Sequence, residues 1–148
     1  MESVHERTYL TKKRQAETPV RELTRLAVEA AQEKKALDIV VMDMRQISGL
    51  ADFFVLATGV SDIQVKAVYE AVENRIRKAF GERPWHREGE DHRQWVLLDY
   101  VDLVVHIFNP ERRAFYDLER LWSDAPMEHV PHDANPTGSL DLLRDDQP

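Results

Sequence analysis

Apolar and polar positions follow two different periods along this chain. Val20, Leu23, Leu26, Ala27, Ala30 and Ala31 recur at three- and four-residue spacing, which predicts an amphipathic helix. Thr18 supplies an N-cap and Pro19 a first helical residue. Lys34 and Lys35 stand at the negative end of that helix. Asp38 to Met44 and Phe53 to Thr58 read as buried strands, joined by a connection through Ile47 to Asp52, with Gly59 closing the second. Ser61 and Gln64 then form a capping box. Val65, Val68, Ala71 or Val72, Ile76 and Phe80 give the second helix its stripe, and Gly81 ends it. Pro84-Trp85-His86 is expected as a short edge strand, and Arg87 to Arg93 as a charged loop.

The densest apolar stretch comes next. Trp95-Val96-Leu97-Leu98 and Leu103-Val104-Val105-His106-Ile107-Phe108 flank Asp99-Tyr100-Val101-Asp102. Two strand-forming runs around so short a polar break predict an antiparallel hairpin. Continuous apolar runs of this kind suit strands buried on both faces, which need helices to cover them. A last helix is expected from Asn109-Pro110 to Trp122, stopped by Ser123-Asp124-Ala125-Pro126. The elements together predict an α/β fold with a single mixed β-sheet covered by helices.

Composition narrows this picture. The chain has 148 residues, enough for one domain with tails, and 32% of them are charged. Residues 1–17 are expected to form a mobile arm, 18–126 the folded domain, and 127–148 an acidic, disordered or draped tail. No apolar run approaches the roughly 20 residues of a membrane helix. The first residues lack a secretory core, so a cytoplasmic location is expected. There are no cysteines, which excludes disulfides, thiolate catalysis and Cys-ligated zinc. The net charge of −7 is spread over the middle and the tail. An acidic middle is poorly suited to gripping a nucleic-acid backbone and better suited to a basic protein surface.

The candidate chemistry is sparse. Asp99 and Asp102 are candidates for a carboxylate pair, but acids across a turn ordinarily cap free backbone N–H groups. Gly59-Val60-Ser61-Asp62 after a strand has the look of a phosphate site at a helix N-terminus, which a plain capping box explains equally well. His86, His92 and His106 with Glu88, Glu90 or Asp91 are weighed as metal ligands. His106 lies among aliphatics, where a hydrogen-bonded core histidine is the commoner outcome. No metal or cofactor is assigned. Lys12-Lys13-Arg14 beside Glu17 reads as a solvated arm. Trp95, Tyr100, Tyr116 and Trp122, interleaved with Asp99, Asp102, Asp117 and Glu119, exceed what one side of a small core needs. Trp and Tyr are favoured interface anchors.

Asp38-Ile39-Val40-Val41-Met42-Asp43, Ala51-Asp52-Phe53-Phe54-Val55-Leu56-Ala57-Thr58-Gly59, Ser61-Asp62, Trp95-Val96-Leu97-Leu98-Asp99-Tyr100, Asp102-Leu103-Val104-Val105-His106-Ile107-Phe108 and Tyr116-Asp117-Leu118-Glu119-Arg120-Leu121-Trp122 follow one another in order. With these segments the chain resembles the ribosomal silencing factor (Iojap) family, from about the first helix to Pro126. The resemblance implies a non-enzymatic domain with nucleotidyltransferase-like topology and no catalytic site. It implies binding to the large ribosomal subunit through universal large-subunit protein fourteen, steric blocking of small-subunit joining, and repression of translation. A link to large-subunit assembly and homodimers of isolated members are also implied, and a minor contact with ribosomal RNA stays open. Carried over by position, the partner-binding residues are Trp95, Asp99, Tyr100, Asp102, Tyr116 and Glu119.

The alternative is a nucleotidyltransferase-like nucleotide-binding enzyme. Gly59 and Ser61 satisfy its turn only loosely, and no Asp-x-Asp pair follows on a strand. One departure from the family stands out: the hairpin turn carries Val101 where Gly is usual. A β-branched residue resists positive φ, so the turn must use another geometry or carry strain.

Overall fold

The computed structural model describes residues 19–47, 49–131 and 140–144. The arm expected over residues 1–17 and the cap expected from Thr18 lie outside them. Helix α1 spans Val20–Glu33, strand β1 Leu37–Asp43, β2 Phe53–Thr58, helix α2 Asp62–Phe80, β3 His86–Glu88, β4 Trp95–Asp99, β5 Leu103–Phe108, α3 Pro110–Tyr116, α4 Leu118–Leu121 and β6 Met127–His129. A 3-10 turn follows at Asp141–Leu143. The strands form one mixed sheet in the order β3-β4-β5-β2-β1-β6. Only β2 and β5 run parallel; the other neighbours are antiparallel.

Alternation along the strands divides the core in two. Val41, Phe53, Val55, Ala57, Val105 and Ile107 point to the face covered by α1 and α2, where Leu23, Ala27, Val65, Val68, Val72 and Ile76 meet them. Val40, Met42, Phe54, Leu56, Val104 and Phe108 point to the opposite face, closed by Leu118 and Ala125 and by the half-buried Trp95, Leu97, Trp122 and Met127. The helices are braced to each other at their ends. Ser61 caps α2 by accepting from the Gln64 N–H at 3.1 Å. The Gln64 amide then accepts from Val60 N–H and donates to the Lys34 and Lys35 carbonyls that end α1. The capping box therefore also ties the two helices together.

Several expectations are corrected. Helix α1 begins at Val20, so Pro19 precedes the helix rather than opening it. The edge strand is His86–Glu88 rather than Pro84 to His86. The last helix is two helices, broken where Asp117 adopts a left-handed φ of 46°. Strand β5 is buried on both faces, but β4 alternates, with Val96 and Leu98 buried and Trp95, Leu97 and Asp99 half-exposed. A continuous apolar run conceals that alternation, because Leu97 is as apolar as Leu98.

After Pro126 the described residues are 127–131 and 140–144, and both pieces pack on the domain. Strand β6 pairs with β1, and Leu140 and Leu143 are buried in the α1-side core. Arg25 donates to the Leu143 carbonyl at 2.7 Å, and Glu128 accepts from the Asp141 and Leu142 N–H groups. A few well-spaced apolar residues dock this segment despite its polar average. Among the described residues no helix is long and apolar enough to cross a membrane.

Candidate partner-binding surface

Sheet pairing sets an aromatic row on the face away from α1 and α2. Trp95 pairs with Phe108 across β4 and β5, and their rings stack at 4.9 Å between centroids. Tyr116 lies 4.6 Å from Trp95, and Phe115 stands edge-on to Tyr116 at 5.1 Å. The row passes from core to solvent: Phe108 is buried, Trp95 half-buried, and Tyr116 and Phe115 are 42% and 78% exposed. Helix α3, which carries the last two, is started by Asn109, whose side chain accepts from Arg112 N–H at 2.8 Å, with Pro110 next.

Beneath the row sits His106. Its Nδ1 accepts from the Trp95 indole N–H at 3.2 Å, fixing the rotation of that ring. Phe54 packs edge-on against it at 4.8 Å. Burial pushes its pKa down to about 3, so the imidazole is neutral and Nε2 carries the proton. His106 is therefore a core residue that orients Trp95.

A shallow groove of about 450 Å³ runs beside Trp95 and Tyr116, lined also by Glu88, His92, Leu97 and Arg112. Gly89 on its rim adopts a φ of +86°, and a Cβ there would come within 1.9 Å of the Trp95 carbonyl oxygen. Only glycine permits the charged loop to close over β4 in this way.

The six expected partner residues do not form one cluster. Trp95 and Tyr116 touch. Asp99 shares the Trp95 face of β4, four residues along, about 13 Å at strand rise. Its carboxylate accepts from Val101 N–H at 2.8 Å, inside the turn. Asp102 is half-buried in that turn, and its carbonyl accepts from the Asp52 and Phe53 N–H groups. Glu119 holds Arg113 through two bonds of 3.3 and 3.2 Å.

Tyr100 is a correction: it is 1% exposed and belongs to the α1/α2-side core with Val96 and Leu98. Alternation along the hairpin sends it away from Trp95, and burial raises the pKa of its hydroxyl. Phe115, against Tyr116, and Leu97, in the groove beside Trp95, extend the surface instead. Phe115 adjoins Tyr116 in sequence, but a lone Phe on a short helix looks like core.

The turn at Val101 carries strain. Its φ is +72°, and Asp102 is not in the positive region. Asp102 N–H bonds to the Tyr100 carbonyl at 3.0 Å across Val101, which makes this a γ-turn of the rare, strained positive-φ form, where Gly is the easier occupant. Tyr100 N–H bonds to the Leu103 carbonyl at 2.8 Å and closes the loop.

The other sequence candidates resolve as follows. A Cβ on Gly59 would lie 2.8 Å from Val65 Cγ2, so that glycine serves strand–helix packing. The Val60 and Gln64 N–H groups at the start of α2 are bonded to Gln64 and Ser61 side chains. Among the described residues no group of three or more His, Asp or Glu is placed to hold a metal ion.

Against known proteins, the family model described as ribosomal silencing factor during starvation matches residues 17–144, including the docked segment after Pro126. The chain is 42% identical over 105 residues to ribosomal silencing factor RsfS of Halalkalibacterium halodurans, covering 71% of this chain and 89% of that protein. It is 35% identical over 108 residues to the chloroplastic protein Iojap of Zea mays, covering 71% of this chain and 45% of that one. A crystal structure of a Chromobacterium violaceum protein superposes with a TM-score of 0.69 at 34% identity, covering 80% of this chain and 98% of the other.

Proposed function

The chain belongs to the ribosomal silencing factor family, and from that premise we propose that it binds the large ribosomal subunit through universal large-subunit protein fourteen and sterically blocks joining of the small subunit. The result is repression of translation by occupation of a surface, with no chemical step. The proposal extends to a cytoplasmic location, a minor contact with ribosomal RNA and homodimers of the isolated protein.

The observation that carries this reading is the exposed end of the aromatic row, Trp95 to Tyr116 to Phe115, on a sheet face that the long helices leave uncovered. Aromatic anchors of this kind supply large contact area with little side-chain entropy to lose, and such anchors dominate binding energy at protein interfaces. A standard interface of about 800 Å² per partner spans Trp95, Asp99 and Tyr116 together. Asp99 and Glu88 on the rim would meet basic side chains, chiefly raising the association rate.

Cosedimentation with separated subunits, followed by a subunit-joining assay, tests the proposal. Binding to the large subunit alone, with fewer joined ribosomes, is the expected result. Trp95→Ala and Tyr116→Ala should each weaken binding by about 1–3 kcal/mol. Full binding by both folded variants would show that the contact lies on another face.

A further inference from the structure

Helix α3 buries no residue of its own. An apolar stripe therefore does not hold it to the sheet, although it carries the two most exposed aromatics of the surface. Arg113 on this helix keeps only 11% of its side chain exposed. Its Nη1 donates to the Asp38 carbonyl at 2.6 Å and to Thr58 Oγ1 at 2.9 Å. Asp38 lies where β1 breaks register against β2, and Thr58 is the last residue of β2. Nε and Nη2 reach both carboxylate oxygens of Glu119. Glu119 is on α4, beyond the left-handed Asp117 that separates the two short helices.

We propose that Arg113 is the positioning residue of the binding surface: it fixes α3 and α4 to the ends of β1 and β2 so that Tyr116 is held against Trp95. Glu119 is its counter-ion, not a contact for the partner. The planar guanidinium fork suits this task, because it serves three acceptors in different directions at once while a lysine ammonium offers no such fixed geometry. A cation so far withdrawn from water also needs its carboxylate, since removing one member leaves the other unpaired. Besides the Tyr116–Trp95 ring contact, Asn109 N–H bonds to the Gln94 carbonyl at 2.9 Å and Arg112 reaches the Gln94 side chain at 3.0 Å on the exposed side.

The functional consequence rests on the ribosome-binding reading above, but the positioning itself can be read without a ribosome. The test records the Trp95 indole N–H resonance in a ¹⁵N–¹H spectrum, assigned by its loss in Trp95→Phe, together with affinity for the large subunit. Arg113→Gln should move or broaden that resonance and weaken binding about tenfold or more. Thr58→Val, which removes one acceptor in nearly the same volume, should move the resonance in the same direction and serves if Arg113→Gln does not fold. Glu119→Gln keeps an acceptor oxygen but not the charge, and should recover only part of the affinity that Glu119→Ala loses.

An unmoved resonance in Arg113→Gln and Thr58→Val overturns the proposal, as does a moved resonance with wild-type affinity. Equal loss in Glu119→Gln and Glu119→Ala with the resonance unmoved would make Glu119 a direct partner contact. Failure of the wild-type protein to bind the large subunit would sink the ribosome reading alone, leaving the spectrum to decide the role of Arg113.

Discussion

Replacing Val101 separately by glycine and by alanine isolates the strain stored in the hairpin turn. The Val101 side chain is 8% exposed, so alanine forfeits two buried methyl groups, about 1.6 kcal/mol at 0.8 per group. Alanine nevertheless keeps a Cβ at a φ of +72°, where an L-residue pays about 1–2 kcal/mol. Glycine removes that penalty and adds about 0.5–1 kcal/mol of unfolded-state entropy. The glycine variant should therefore be more stable than the alanine variant by about 0–1.5 kcal/mol, with a mid-range value of about 0.75. At an ordinary backbone position the order is reversed by a similar amount. Urea unfolding with matched m-values measures the difference, and thermal unfolding should place the two midpoints about 3 °C apart for a chain of this size. Alanine ahead of glycine by about 0.5–1 kcal/mol, as at an ordinary position, would refute a left-handed Val101, and with it the placement of the Asp99 carboxylate inside the turn.

Two further outcomes follow from buried groups. His106 has a folded pKa depressed to about 3 by burial, below the unfolded value of about 6.5. The unfolded chain therefore binds the extra proton between these values, and His106's contribution is complete above pH 6.5 and lost as pH falls toward 3, at a slope approaching about 1.4 kcal/mol per pH unit. His106→Phe should flatten that part of the stability–pH curve; an unchanged slope would mean the imidazole is solvated. Leu143→Ala should cost about 2–4 kcal/mol in urea unfolding, because the side chain is fully buried. A change below about 0.5 kcal/mol would mean that the segment after β6 is not docked.

The sheet and its two long helices were legible because their signals agree at every level. Leu23 to Ala31 keep a helical period, Ser61 and Gln64 mark a start, and Gly81 with its φ of 70° marks a stop. The aromatic surface was partly legible, since Trp95 and Tyr116 stand out by residue type. Tyr100 was misplaced for a physical reason: type says interface, while alternation with Val96 and Leu98 says core, and the apolar run hides the alternation. Glu119 was legible as an acid but not as the counter-ion of Arg113, because that pairing depends on the left-handed break at Asp117. The docking of Leu140 and Leu143 was obscured by the polar residues around them. Strand β6 is three residues long, too short for a period to register.

The brevity of β6 and β3 has a consequence for self-association. These two strands are the borders of the sheet, each of three residues. One presents His86, Arg87 and Glu88, all exposed, and the other runs out at Val130-Pro131, where proline offers no N–H. Unpaired backbone groups along a sheet border are a template for adding strands from another molecule, and short, charged or proline-ended borders suppress it. A second copy of this chain therefore gains little by extending the sheet. A homodimer would be built from side chains meeting across a face rather than from strands paired at these borders.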